Sequence, residues 1–148
     1  MKKNYIFLLN LLIITSLYSC GYKPIYSSKE FLFKINQITH ENNKINNQIA
    51  KSLKSMSNNS SDNILNIALS SKKEKIVISK NKNGDPEIFE LKISINTKIN
   101  DNEKAFIGKQ VFNNSENKFE LNEYEIQLEK QIITKIVDEI IIFLLEFR

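Results

Sequence analysis

The chain has 148 residues, and its formal net charge of +4 is the difference between 21 basic and 17 acidic side chains. Such a length suits one domain, and the lysines are interleaved with acids along the whole chain rather than gathered into a basic stripe. One histidine and one cysteine leave little material for a metal site or a catalytic group. The composition therefore disfavours an enzyme, a metalloprotein and a nucleic-acid-binding protein.

The first 20 residues resemble a bacterial lipoprotein signal. Two lysines after Met1 precede an apolar stretch from Tyr5 to Leu17, and a serine stands directly before Cys20. A basic start, an apolar centre and a small residue before the cut are typical of a secretory signal peptide, and the apolar stretch is shorter than the ~20 residues that a membrane-spanning helix needs. We predict that residues 1–19 are removed. The alternatives are an uncleaved membrane anchor and a buried N-terminal helix.

Cys20 is the only cysteine, so an exported chain cannot close an internal disulfide. The leucine, tyrosine, serine and cysteine that end at Cys20 resemble a lipobox, which implies that the thiol receives a diacylglycerol and the new N-terminus an acyl chain of the palmitate type. We therefore predict lipidation at Cys20 and no other cofactor. Cleavage would leave 129 residues with a formal charge of +2, because both removed charges are lysines.

Residues 20–30 contain a glycine, a proline and two serines without periodicity, which predicts an extended tether between the lipid and the fold. Tyr22, Pro24 and Tyr26 are candidates for contact with the membrane or a partner, because aromatic rings favour the headgroup level of a bilayer.

A strand and a helix are predicted next. Phe31, Phe33 and Ile35 alternate with other residues at the period of a strand with one buried face. A stripe of apolar residues at spacings of four and three then predicts an amphipathic helix over residues 41–57.

The middle of the chain predicts a meander of strands. Apolar runs at residues 64–69 and 76–78 indicate one long bent strand or two separate strands, and Asn83-Gly84 is a strong turn signal. From Phe89 to Ile99, apolar residues alternate strictly with polar ones, so one face of this strand is expected to be buried and the other wet. A further strand follows over residues 104–113.

The C-terminal segment predicts a long helix. Asn122 and Glu125 have capping-box spacing, an apolar stripe starts at Ile126, and Glu129 falls on the side predicted to be polar. Residues 140–145 are apolar all round but too few to span a bilayer. We expect this end to lie in the core or between the sheet and a partner, with a membrane contact as the alternative.

The order β-α-β-β-β-α predicts an α+β fold for residues 31–148, a single domain with an antiparallel sheet of about four strands and two helices packed on one face. The other face is mostly polar and free to meet solvent or a ligand.

Two features could carry chemistry. His40 lies at a predicted strand-to-helix junction, where a surface or capping role is expected rather than a catalytic one. Lysines crowd the segment before the Asn83-Gly84 turn, where they could hold the phosphates of an anionic lipid or simply keep a strand edge soluble. The candidate ligand-binding residues are Lys72, Lys73, Lys75, Lys80 and Lys82.

The start Cys-Gly-Tyr-Lys-Pro-Ile-Tyr, residues 20–26, resembles the opening of the LptE family, as do the element order and the Asn122-Glu123-Tyr124 entry to the last helix. The resemblance implies a non-catalytic lipoprotein on the periplasmic side of the outer membrane. It implies that the chain is the plug and assembly partner of an LptD-like β-barrel and that it contacts lipopolysaccharide during cell envelope biogenesis. The interleaved charges and the predicted export separately predict that the chain binds no nucleic acid.

Two alternatives remain from the residues alone. One is a periplasm-facing lipoprotein that binds a ligand or serves as an auxiliary subunit of an envelope transport complex. The other is a lipid-anchored hydrolase, which would need an activated serine near His40.

Overall fold

The computed structural model describes residues 33–147. The predicted signal peptide, Cys20, the tether at 20–30 and its residues Tyr22, Pro24 and Tyr26 lie outside them. The elements are β1 (Lys34–His40), α1 (Lys44–Lys54), β2 (Ile64–Lys80), β3 (Pro86–Ile99), β4 (Asn102–Asn113) and α2 (Lys118–Leu144). The α+β class and the β-α-β-β-β-α order are confirmed.

The four strands form one sheet in the order β1-β2-β3-β4. The pairs β2–β3 and β3–β4 are antiparallel, whereas β1 and β2 are parallel. The expectation of a wholly antiparallel sheet is therefore wrong for one pair. The reason is the connection: α1 carries the chain back to the end of the sheet at which β1 began, and a crossover of this kind joins parallel strands.

The strict alternation in β3 places the core. Leu91, Ile93, Ile95 and Ile99 are completely buried, whereas Asn96 and Lys98 between them are exposed. Helix α1 packs on β1 and β2, α2 packs on β3 and β4, and the two helices contact each other. Both helices thus cover one face of the sheet, and we call the opposite, uncovered face the open face.

The long hairpin of β2 and β3 resolves the ambiguity between one strand and two. Strand β2 runs without interruption for 17 residues. Asn81 organises the turn, because its backbone N–H donates to the Asp85 carbonyl at 2.9 Å and its side-chain oxygen accepts from the backbone N–H of Asn83 at 2.9 Å. Gly84 has φ of 89°, a value that favours glycine, which confirms the predicted turn.

Helix α2 begins earlier than expected. Its N-cap is Asn117, whose side-chain oxygen accepts hydrogen bonds from the backbone N–H groups of Phe119 and Glu120 at 3.1 and 3.3 Å. The predicted cap at Asn122 is wrong, since Asn122 lies inside the helix. Asn117 is the more favourable cap because it satisfies two free N–H groups of the first turn. A helix that began at Asn122 would lack the turn that residues 118–121 form.

The C-terminal part of α2 is part of the core. Ile140, Ile141 and Leu144 are buried, and only Ile142 in this run is strongly exposed. The helix approaches β4 so closely that a Cβ added to Gly108 would overlap the side chain of Ile132. Neither described helix has the length and apolar character required to cross a bilayer. The prediction of a core helix end is confirmed.

Candidate functional site

The open face is one of two candidate surfaces, and it mixes charged rows with apolar ones. In one row, Ile76 pairs with Glu90, which pairs with Val111. Two residues further along each strand, Glu74 pairs with Lys92, which pairs with Lys109. The side chains of Ile76, Val111 and the neighbouring Ile107 are exposed. No helix among residues 33–147 covers this face.

The charges of the open face neutralise one another locally. Glu74 lies 2.8 Å from the Nζ of Lys72 and 3.8 Å from that of Lys92, and Glu90 lies 3.8 Å from the Nζ of Lys109. The hydrogen bond from Lys72 holds the pKa of Glu74 below its ordinary value, with help from Lys92. The charged rows therefore carry no strong net field, and they alternate with exposed apolar side chains.

A second group of charges lies on the helix-covered face. The Nζ of Lys73 is 2.7 Å from Oε2 of Glu129 and 3.1 Å from Oε1 of Glu125. Glu125 also contacts Lys75 at 2.8 Å, and Glu129 contacts Lys44 at 3.0 Å. We call these five residues the ion-pair cluster. It joins β2, α1 and α2 at one point.

Burial and charge act in opposite directions on the pKa values of the cluster. Burial lowers the pKa of Lys73, but the hydrogen bonds and charges of Glu129 and Glu125 outweigh it and raise the pKa above its ordinary value. Burial raises the pKa of Glu125 and Glu129, and their lysine partners outweigh it and hold both values below the usual range. These shifts keep Lys73, Glu125 and Glu129 charged at neutral pH.

The inward position of Glu129 contradicts the sequence-based expectation, which placed it on the polar side of α2. It is 5% exposed. The sequence of β2 contains a sign that the covered face holds a charge. Leu65, Ile67 and Leu69 point inward, and the same alternation points Lys73 inward. A lysine on a covered face needs a carboxylate opposite, because an unpaired buried charge is strongly unfavourable.

Lys75 is further held by aromatic rings. Its Nζ lies 4.5 Å from the ring centre of Phe89 and 5.4 Å from that of Phe112. The two rings contact each other, and Tyr124 of α2 packs edge-on against Phe112. This lysine is therefore committed to packing, since cation–π contacts and an ion pair fix its position.

The five predicted ligand-binding lysines do not form one patch. Lys72 lies on the open face beside Glu74, Lys73 and Lys75 lie on the helix-covered face with glutamates, and the other two are exposed at the end of the hairpin. Only Lys72, Lys80 and Lys82 are thus placed to meet an anionic ligand. That they bind one stays a prediction.

His40 is the last residue of β1, and its Nδ1 lies 2.9 Å from the carbonyl oxygen of Glu41. This is a local contact at the junction with α1, as expected from the sequence. A separate surface cleft of about 460 Å³ lies at the start of α2 and is lined by Phe119, Tyr124 and the carboxylates of Glu120 and Glu123, among others. Its acidic rim disfavours anionic ligands.

The chain has the α+β fold of a group of bacterial lipoproteins whose structures have been solved. An uncharacterized lipoprotein B from Nitrosomonas europaea is similar with a TM-score of 0.59 and 18% identity, over 82% of this chain and 88% of that chain.

Two further structures agree. The rare lipoprotein B of Shewanella oneidensis has a TM-score of 0.51 and 12% identity over 75% of this chain and 94% of its own. A minor lipoprotein from Acinetobacter baumannii has a TM-score of 0.54 and 9% identity over 73% of this chain and 88% of its own. No family model and no curated protein matches the sequence. At these identities the likeness establishes the fold.

Proposed function

We propose that this chain is a non-catalytic lipoprotein of the outer membrane, anchored through Cys20 on the periplasmic side. In this proposal it serves as the plug and assembly partner of an LptD-like β-barrel in lipopolysaccharide assembly. The observation that carries the proposal is the combination of the LptE-like start at residues 20–26 with a fold that lipoproteins named lipoprotein B also have.

The open face supports the plug role. The interior of a large membrane barrel is polar and hydrated, so a protein inside it needs a broad polar surface rather than an apolar one. Rows such as Glu74, Lys92 and Lys109 supply mixed charges that can pair with the barrel wall. The exposed lysines near the hairpin end would meet the phosphates of lipopolysaccharide.

The anchor supports the location. A diacylglycerol and an acyl chain bury many CH₂ groups at about 0.8 kcal/mol each, so attachment through Cys20 would be stable. The lipid would hold the plug at the membrane, and the protein surface would select the barrel.

Depletion of the chain tests the proposal. We expect fewer mature barrels and less lipopolysaccharide at the cell surface, because the barrel lacks its assembly partner. A plasmid-borne wild-type copy should restore both, and a His40→Ala copy should restore them equally. Unchanged barrel and lipopolysaccharide levels after depletion would refute the proposal. Loss of rescue by His40→Ala would point to a hydrolase instead.

A further inference from the structure

The sheet is incomplete along one side of β2. The last residue pair between β1 and β2 is His40 with Leu69, and Asn43, the N-cap of α1, then contacts β2: its Nδ2 donates to Ser71 Oγ at 3.1 Å. Beyond Ser71, no strand among residues 33–147 pairs with the outer edge of β2. Backbone N–H and C=O groups at such an edge are a template for another strand.

The bare edge has a definite length. The pairing of β2 with β3 is regular up to Val77, opposite Phe89, and shifts after it. A shift of this kind bends a strand and ends regular pairing. The straight part of the bare edge therefore runs from Lys72 to Val77, about 20 Å at the usual rise per residue. It fits an extended segment of about six residues.

The side chains of this edge favour strand addition. Ile76, Val77 and Ile78 are 41%, 40% and 51% exposed. All three are β-branched, a type that packs well on a pleated sheet, and both faces of an added strand would find an apolar neighbour. Exposed apolar residues are tolerated singly, but Ile76 and Val77 at the bare edge, with Ile78 directly beyond it, indicate a surface that is covered in use.

The charges decide which kind of strand fits. Residues 72–82 contain five lysines and one glutamate. Two copies of this edge would bring like charges together, which disfavours pairing with a second copy. Lys73 and Lys75 already have carboxylate partners, whereas the side chain of Lys72 is 71% exposed in spite of Glu74, and Lys80 and Lys82 lie free at the hairpin end. An acidic segment would complement them.

We propose that the outer edge of β2 from Lys72 to Val77 receives an extended acidic segment of a partner protein as a fifth strand. Backbone hydrogen bonds would supply the affinity, and the lysines would exclude basic strands and self-association. The free edge of β4 differs, since residues 102–113 carry two lysines and one glutamate, and Lys109 already faces Glu90. The proposal goes beyond the assignment of a barrel partner and does not depend on it.

Amide hydrogen exchange of the full-length protein in detergent micelles tests the proposal. The probe is a six-residue peptide in which glutamate and valine alternate. Two matched peptides serve as controls: one has lysine in place of glutamate, and one is N-methylated at every amide. We expect the acidic peptide to protect those amides of residues 72–77 that point away from β3, and to bind at least about tenfold more tightly than the lysine peptide. The N-methylated peptide should give no protection.

Charge variants sharpen the test. Lys72→Glu should weaken the acidic peptide about fivefold, whereas Lys98→Glu, the same change on the open face of β3, should weaken it less than about twofold. Equal binding of the peptides, absence of protection, or protection at β4 instead would overturn the proposal. If raising the protein concentration without any peptide protects the amides of residues 72–77, the edge pairs with a second copy of the chain. Protection by phosphatidylglycerol vesicles without peptide binding would assign it to a lipid surface.

Discussion

Glu129→Gln removes the central carboxylate of the ion-pair cluster while keeping the shape of the side chain. In the folded protein Glu129 is 5% exposed and accepts from Lys73 at 2.7 Å. Breaking a fully buried pair costs about 3–5 kcal/mol. The side chains of Lys73 and Lys44 are 34% and 66% exposed, so water can partly replace the lost partner. We therefore expect a loss of about 1–3 kcal/mol in the free energy of unfolding.

Urea unfolding, followed by circular dichroism of the Cys20→Ser protein, measures this loss. The matched control is Glu123→Gln, an exposed glutamate of the same helix. In a double-mutant cycle, Lys73→Met should cost less in the Glu129→Gln protein than in the wild type, because the contact between these two residues is already lost. If Glu129→Gln and Glu123→Gln unfold at the same urea concentration, the cluster contributes nothing and the reasoning is wrong.

The cluster also predicts the pH dependence of stability. The pKa values of Glu125 and Glu129 are held below the ordinary value of 4.5, so their contribution is present above that pH and is lost as the pH falls through the folded-state values. The pKa of Lys73 is raised above 10.5, so its contribution is present below that pH and is lost at higher pH. Between about pH 4.5 and pH 10.5, the contribution of these three groups to the free energy of unfolding should not change with pH. The loss in acid should be smaller in Glu129→Gln than in the wild type, and an equal loss would contradict the assignment.

Three further predictions concern packing, capping and the anchor. Gly108→Ala should lower the free energy of unfolding by about 1–3 kcal/mol, because its Cβ would overlap Cγ2 of Ile132, and the same change should cost less in an Ile132→Ala background, which lacks that methyl group; urea unfolding without any loss would contradict the close approach. Asn117→Ala should cost about 0.5–2 kcal/mol in the same assay, whereas Asn122→Ala should cost nothing, and the reverse order would restore the sequence-based cap. Cys20→Ser should move the protein from the membrane fraction to the soluble periplasm, and retention in the membrane would indicate an uncleaved anchor.

The elements with one wet and one buried face could be predicted from sequence. In β3, alternation of apolar and polar residues predicts which side chains are buried, because successive side chains point to opposite faces. At the Asn83-Gly84 turn, glycine predicts the positive φ that the turn requires. The apolar C-terminal run likewise indicated a core position. In each case the signal and the structure involve the same few residues.

The features that could not be predicted depend on distant residues. The parallel pairing of β1 and β2 is set by the path of α1 across the sheet, which no local pattern encodes. Glu129 shares the inward face of α2 with Ile132 and Ile133, but its partner Lys73 lies 56 residues earlier in the chain, so no local pattern shows that the carboxylate is paired there. Successive side chains of β2 point to opposite faces of the sheet, so its lysines divide between the two faces. Their closeness in sequence nevertheless suggested a single patch.

Purification of the lipidated chain from outer membranes in mild detergent, with identification of what remains bound, tests the central claim most directly. The account predicts stable co-purification of an LptD-like barrel in stoichiometric amount. Recovery with an inner-membrane ATPase complex and without any barrel would contradict it, and would support the role of an auxiliary subunit in an envelope transport complex.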